Sequence, residues 1–130
     1  KLTIHLYFDE LQLNFDTEEN ASWFFKLWSR IRKYGAVTTG ITQNIGTLLE
    51  KSAGQKMISN SEFIVLLRQK LVDMEHLKRV IKIPASLQKY AGEKVPKGTG
   101  LIYAGGNIVP FENHIPENTK LFELMNTDAA

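Results

Sequence analysis

The segment Leu2-Thr3-Ile4-His5-Leu6-Tyr7-Phe8-Asp9-Glu10 constrains this chain most, because an apolar strand that stops at two adjacent carboxylates has few uses in a folded protein. A strand buried in an open α/β sheet delivers its C-terminal end to a crevice where ligands bind. There the first carboxylate, Asp9, suits a magnesium ion held through its water shell. The second, Glu10, suits orienting or deprotonating a water that attacks a γ-phosphate. The plain alternative is a buried strand running into a polar turn, and the strand alone does not choose between them.

The next elements bear on that choice. After Asp16-Thr17 the pattern predicts a helix of about five turns, capped by Asp16 or Thr17, with Glu18 and Glu19 at its positive N-terminal end and Gly35 as its stop. Trp23, Phe24, Leu27, Trp28, Ile31 and Tyr34 recur at helical spacing, so they are expected to pack on the sheet. Lys26, Arg30 and Lys33 share a flank, and Arg32 lies across the stripe from Arg30. Ala36-Val-Thr-Thr-Gly-Ile-Thr42-Gln43-Asn44 then reads as a short β-branched strand that ends in polar amides. The order strand, carboxylates, helix, strand, amide places Gln43 at the sheet edge where Asp9 and Glu10 also end. A neutral amide there can hydrogen-bond both a γ-phosphate and the attacking water. Thr42, beside it, is a further candidate nucleotide contact.

The rest of the chain is less chemical. A short helix from Ile45 and a turn across 54–60 lead to a third buried strand, Ser61 to Leu67. A helix from Asp73 should turn Met74, Leu77, Val80 and Ile81 inward, and Pro84 suits the first turn of another that ends near Gly92. This pair could be read as a helix-turn-helix with Lys78, Arg79, Lys82 and Lys89 on phosphates, but its second helix offers few base-reading side chains. The run from Lys97 to Phe111 is a hairpin turning at Gly105-Gly106-Asn107, with Pro110 confining its return strand to an edge. Gly98 and Gly100 are candidates for close approach to a nucleotide base or ribose, with a plain loop as the alternative. Leu121 to Met125 is a last helical turn, and residues 126–130 read as a flexible tail. His5, His76 and His114 have no metal-ligand spacing.

Four runs carry a specific resemblance: Tyr7-Phe-Asp9-Glu10, Arg30-Ile-Arg32-Lys33-Tyr34-Gly35, Thr39-Gly-Ile-Thr-Gln43-Asn44 and Met57-Ile-Ser-Asn-Ser61-Glu-Phe. Together with Gly100-Leu-Ile-Tyr, Val109-Pro-Phe and Pro116 to Met125, they resemble the C-terminal part of the TraC/TrwK-type conjugal-transfer ATPases of type IV secretion. These belong to the HerA/FtsK group of RecA-like motors, and the versions on mobile elements of Gram-positive bacteria are most similar. The resemblance covers nearly the whole chain. It implies ATP with Mg2+, Asp9-Glu10 as the Walker B pair, and Gln43 as the phosphate sensor. It also implies a ring, hexameric in such motors, in which one subunit lends an arginine to its neighbour, with Arg32 the first candidate and Arg30 the second. Partners would be the components of a secretion channel, and DNA in a translocating motor. The location implied is cytoplasmic, peripheral to the inner face of the membrane through those partners.

One departure is large. A phosphate-cradling loop reads G-x-x-x-x-G-K-[ST], and no Gly-Lys pair occurs in these 130 residues. Gly35 to Thr42 has the glycine spacing but puts Ile41 where the lysine belongs, and it lies between a helix and a following strand, the reverse of what such a loop needs. The chain also begins at Lys1, already inside the strand pattern. The fold expected is therefore α/β, the C-terminal part of a RecA-like P-loop NTPase domain from Walker B onward, with parallel strands, flanking helices and a C-terminal β-hairpin. Residues 1–130 would form a single partial domain that does not hydrolyse ATP alone. Its missing P-loop strand would leave open sheet edges between the Gln43 strand and the Ser61 strand, and so favour self-association.

Composition adds only boundaries. At 43% hydrophobic and net charge +2 the chain can bury one core and is not basic enough to argue for nucleic acid by itself. Without cysteine it has neither a disulfide framework nor a thiolate metal site. A DNA-pumping motor and a non-catalytic interaction module are the rival readings.

Overall fold

The computed structural model describes residues 2–127. The chain runs β1 (Ile4–Phe8), a 3-10 turn (Leu11–Phe15), α1 (Glu18–Arg30) extended by a 3-10 turn (Ile31–Tyr34), and β2 (Ala36–Gly40). It continues through α2 (Ile45–Glu50), α3 (Ser52–Ser59), β3 (Phe63–Leu66), α4 (Leu71–Lys78), α5 (Ala85–Gln88), the hairpin β4 (Thr99–Ala104) and β5 (Asn107–Glu112), and α6 (Lys120–Met125). The stretch read as a turn across 54–60 is largely helical, in α3, and the expected tail reaches into residues 128–130, which lie outside the described part.

β1 and β2 pair in parallel, Ile4 opposite Ala36 through Phe8 opposite Gly40, with α1 as the crossover that a parallel pair requires. The Thr17 hydroxyl accepts the Asn20 amide at 3.2 Å and caps α1, and Gly35 closes its 3-10 extension at φ 80°. α1 turns Ala21 and Phe24 into the core and packs Phe24 edge-on against Phe8, ring centroids 5.0 Å apart. Two members of the expected stripe do not join it: Trp23 is 63% exposed and Tyr34 82%. Trp23 lies a quarter turn from Phe24, at the flank of the buried arc. Tyr34 sits in the 3-10 segment, where three residues per turn instead of 3.6 rotate it out of phase.

β3 departs from the expectation of a further parallel strand. It pairs antiparallel with β4, Phe63 opposite Ala104 through Leu66 opposite Leu101, and β4 pairs with β5 to make a three-stranded sheet. An isolated hairpin is marginal in water, and β3 supplies the third strand that steadies it. Nor is β3 buried throughout: Leu66 faces the core, while Phe63 and Val65 are exposed. The turn at Gly105-Gly106 has φ 55° and 83°, the left-handed pair that a two-residue hairpin connection needs.

One hydrophobic core serves both sheets, joining Phe15 and Phe24 beneath the parallel pair to Leu48, Leu77, Leu66 and Leu101 on the other side. α4 delivers Met74 and Leu77 to it, and Ile81 follows, as the helical spacing predicts. On the parallel pair Leu6, Phe8 and Ala36 are buried or half-buried, whereas Tyr7 and Val37, one residue out of phase, are exposed. That two-residue alternation shows a sheet covered on one face.

Candidate functional site at the parallel strand ends

The C-terminal ends of β1 and β2 are tied by backbone hydrogen bonds that continue past the strands. Ile41 N–H donates to the Phe8 carbonyl and Leu11 N–H to the Ile41 carbonyl, both at 2.8 Å. Between these two ties the chain makes a tight bulge containing Asp9 and Glu10. Glu10 takes the left-handed conformation, φ 48° and ψ 47°, the one positive φ outside glycine among the described residues. That conformation costs a side-chain-bearing residue about 1–2 kcal/mol. It persists because the flanking ties fix where Phe8 and Leu11 must be.

The bend brings the Glu10 carboxylate across to the other strand. Gln43 Nε2 donates to Glu10 Oε1 at 3.0 Å, a contact spanning 33 residues of sequence. The second carboxylate oxygen, Oε2, accepts from Gln12 Nε2. Gln12 Oε1 in turn accepts the Thr42 hydroxyl at 2.6 Å, and the Thr42 oxygen accepts the Asn44 amide at 3.2 Å. One carboxylate is thus held by two neutral amides, one from each loop. Asp9 stands beside them, exposed, with one oxygen accepting its neighbour's amide, Glu10 N–H, at 2.9 Å.

The other candidates fall elsewhere. Arg30 ends α1 and Arg32 lies in its 3-10 extension, both exposed, and the Arg32 carbonyl accepts from Gly35 at the start of β2. They sit by the N-terminal ends of the strands, a strand length of about 16 Å from the Glu10 cluster at ~3.3 Å per residue. They do not join this chain's own cluster. Gly98 and Gly100 belong to the antiparallel sheet and have reasons of their own to be glycine. A Cβ on Gly100 would meet the Leu66 carbonyl oxygen at 2.2 Å and the Phe111 ring at 2.8 Å. Gly98, at φ 84°, has the Asn113 carbonyl oxygen 2.2 Å from where its Cβ would be. At both positions a neighbouring carbonyl or ring takes the place of a Cβ, a packing reason for glycine. Thr42 points its hydroxyl to Gln12.

Gln12 is the residue that the sequence reading passed over. Its signal was present, a lone amide between Leu11 and Leu13 two positions after Glu10, but only the 3-10 turn folds it back onto Glu10. Among the described residues no group of three or more His, Cys, Asp or Glu side chains is placed to hold a metal ion.

A parallel pair with carboxylates at one strand end and an amide at the next, and an antiparallel sheet beyond, defines a mixed α/β fold. Among solved structures, VirB4 of Thermoanaerobacter pseudethanolicus has this fold, with a TM-score of 0.80 and 22% sequence identity over 91% of this chain. The chain spans 33% of that protein. At that identity the likeness establishes the fold, a segment of the VirB4 architecture. No family model and no curated protein matches the sequence.

Proposed function

We propose that this chain is the Walker B and sensor portion of an ATP-hydrolysing motor that energises type IV secretion, specifically conjugative DNA transfer. The observation that carries the reading is the Gln43 to Glu10 hydrogen bond at the ends of adjacent parallel strands, within a fold shared with VirB4. Glu10 is the group that orients and deprotonates the attacking water, its carboxylate aimed by the amides on either side. Gln43, bonded to Glu10 at the strand ends, is the phosphate sensor, its amide able to exchange the carboxylate for a γ-phosphate as hydrolysis proceeds. Asp9, exposed and adjacent, is the carboxylate that would hold Mg2+ through its water shell; the ion supplies charge neutralisation on the phosphates. The phosphate-cradling loop must come from other sequence, since no Gly-Lys pair occurs here.

Arg32, or Arg30, serves a neighbouring copy in a ring, hexameric by the resemblance, because neither reaches its own cluster. No helix among the described residues is long and apolar enough to cross a membrane. Attachment to the inner face of the membrane would run through channel partners.

The test joins this chain to a P-loop-bearing segment and compares it with Glu10→Gln. Turnover should fall about 10²-fold or more, with KM for ATP nearly unchanged, because water activation is lost while phosphate binding remains. Unaltered turnover would remove the hydrolytic reading and leave an interaction module.

A further inference from the structure

The Glu10 carboxylate accepts from two amides, and the proposed reaction uses only one of them. Gln43 comes from the strand that would face the phosphate. Gln12 comes from the 3-10 turn after β1, and its two ends are spent on Glu10 and on Thr42. We propose that Gln12 is a positioning residue that keeps the Glu10 carboxylate aimed when Gln43 turns to phosphate. This rests on the hydrolytic reading of Glu10.

The chemistry of an amide fits that task. Its nitrogen can only donate and its carbonyl oxygen only accept, in one rigid plane, so a single side chain grips a carboxylate at one end and a hydroxyl at the other. Thr42 fixes the far end, because its oxygen also accepts the Asn44 amide and cannot swing freely. The network therefore runs from the loop after β2, through Gln12, to the carboxylate on the loop after β1. Gln43 completes the circuit directly. If Gln43 leaves, Gln12 is the side chain that still tethers the Glu10 carboxylate, whose backbone the flanking ties already fix. A carboxylate in place of Gln12 would repel Glu10, and an apolar side chain of equal length would leave its second oxygen without a tether.

Gln12→Met keeps length and half-burial while removing both polar ends. In this chain, the Gln43 side-chain NH2 resonances should move toward those of a free amide, since Glu10 is no longer held against them. In the P-loop-bearing protein that contains the chain, turnover should drop about tenfold to a hundredfold at constant KM, the range expected when a supporting contact to a reacting group is lost. In a Glu10→Gln background the same substitution should cost nothing more, because Gln12 acts only through Glu10. Thr42→Val, which frees the far end of Gln12 and leaves Gln12 itself in place, should show the same pattern with a smaller drop, and it covers the case in which Gln12→Met folds poorly. Unmoved Gln43 signals with undiminished turnover would overturn the proposal, as would an equal loss in the Glu10→Gln background. Failure of Glu10→Gln to slow turnover would instead sink the hydrolytic reading, and the Gln43 resonances would still decide whether the clamp exists.

Discussion

The two sheets of this molecule solve opposite problems with the same kind of strand. In the parallel pair, β1 and β2 end together, and everything beyond their ends is polar side chain: Glu10, Gln12, Thr42 and Gln43 hydrogen-bond one another across two loops. Backbone strain is kept there, at Glu10. In the antiparallel sheet the special backbone positions are glycines, and protein atoms occupy the space beside Gly98 and Gly100. One region tolerates an unfavourable conformation to aim a carboxylate. The other uses glycine to let strands and loops approach. Residues that break local preference without a packing reason are where chemistry should be sought, and those that break it with one are architecture.

That contrast can be broken by substitution. Gly100→Ala should destabilise the chain by about 1–3 kcal/mol, because its Cβ would sit inside the Leu66 carbonyl and the Phe111 ring. Glu10→Gly should leave stability within about 0.5 kcal/mol of the parent, since relief of the left-handed strain offsets glycine's entropy and the two lost side-chain hydrogen bonds, one exposed and one half-buried. Urea unfolding of the two variants measures both. Equal destabilisation would mean that Glu10 is as structural as Gly100 and that the contrast is false.

The outward faces sharpen the same comparison. Val37 on the parallel pair and Phe63 and Val65 on the antiparallel sheet are exposed apolar residues on strands whose outer edges have no partner among the described residues. Sedimentation of this chain should show concentration-dependent self-association, and Val37→Lys with Val65→Lys should suppress it. A monomer at all concentrations would mean that the open strands are adequately protected.

The encounter of Glu10 with Gln43 was legible in the sequence, because a parallel crossover brings the C-terminal ends of consecutive strands together whatever lies between. The core positions Phe24, Met74, Leu77 and Ile81 were legible for a similar reason, helical period. The partner of β3 was not, since a run such as Phe63-Ile-Val-Leu66 carries no mark of strand direction, and only the need of the hairpin for a third strand decides it. Trp23 and Tyr34 were misplaced because a periodicity read at 3.6 residues fails at a helix flank and in a 3-10 extension. Gln12 was missed because its role depends on a short turn that no period announces.

The start of α1 offers smaller effects, on the element that joins the two strands of the site. Thr17→Ala removes the hydroxyl that accepts the Asn20 amide and should cost about 1 kcal/mol in thermal or urea unfolding. The smallest effect is the pH dependence of the neighbouring carboxylate. Asp16 accepts the Asn20 side-chain amide at 2.9 Å and the Thr17 N–H at 2.8 Å, and these bonds, the first foremost, hold its pKa below the usual carboxylate value. A carboxyl whose folded pKa is depressed binds its proton more readily when unfolded. Its contribution is therefore complete at pH values above the unfolded pKa, declines as pH falls below it, and is gone once pH passes below the lowered folded value. Asp16 is fully exposed, so the contribution is slight. Asn20→Ala removes the principal cause, and unfolding measured from neutral pH down through the carboxylate range should show a slightly shallower acid loss than the parent. An unchanged acid limb would mean that the Thr17 amide alone sets the Asp16 titration.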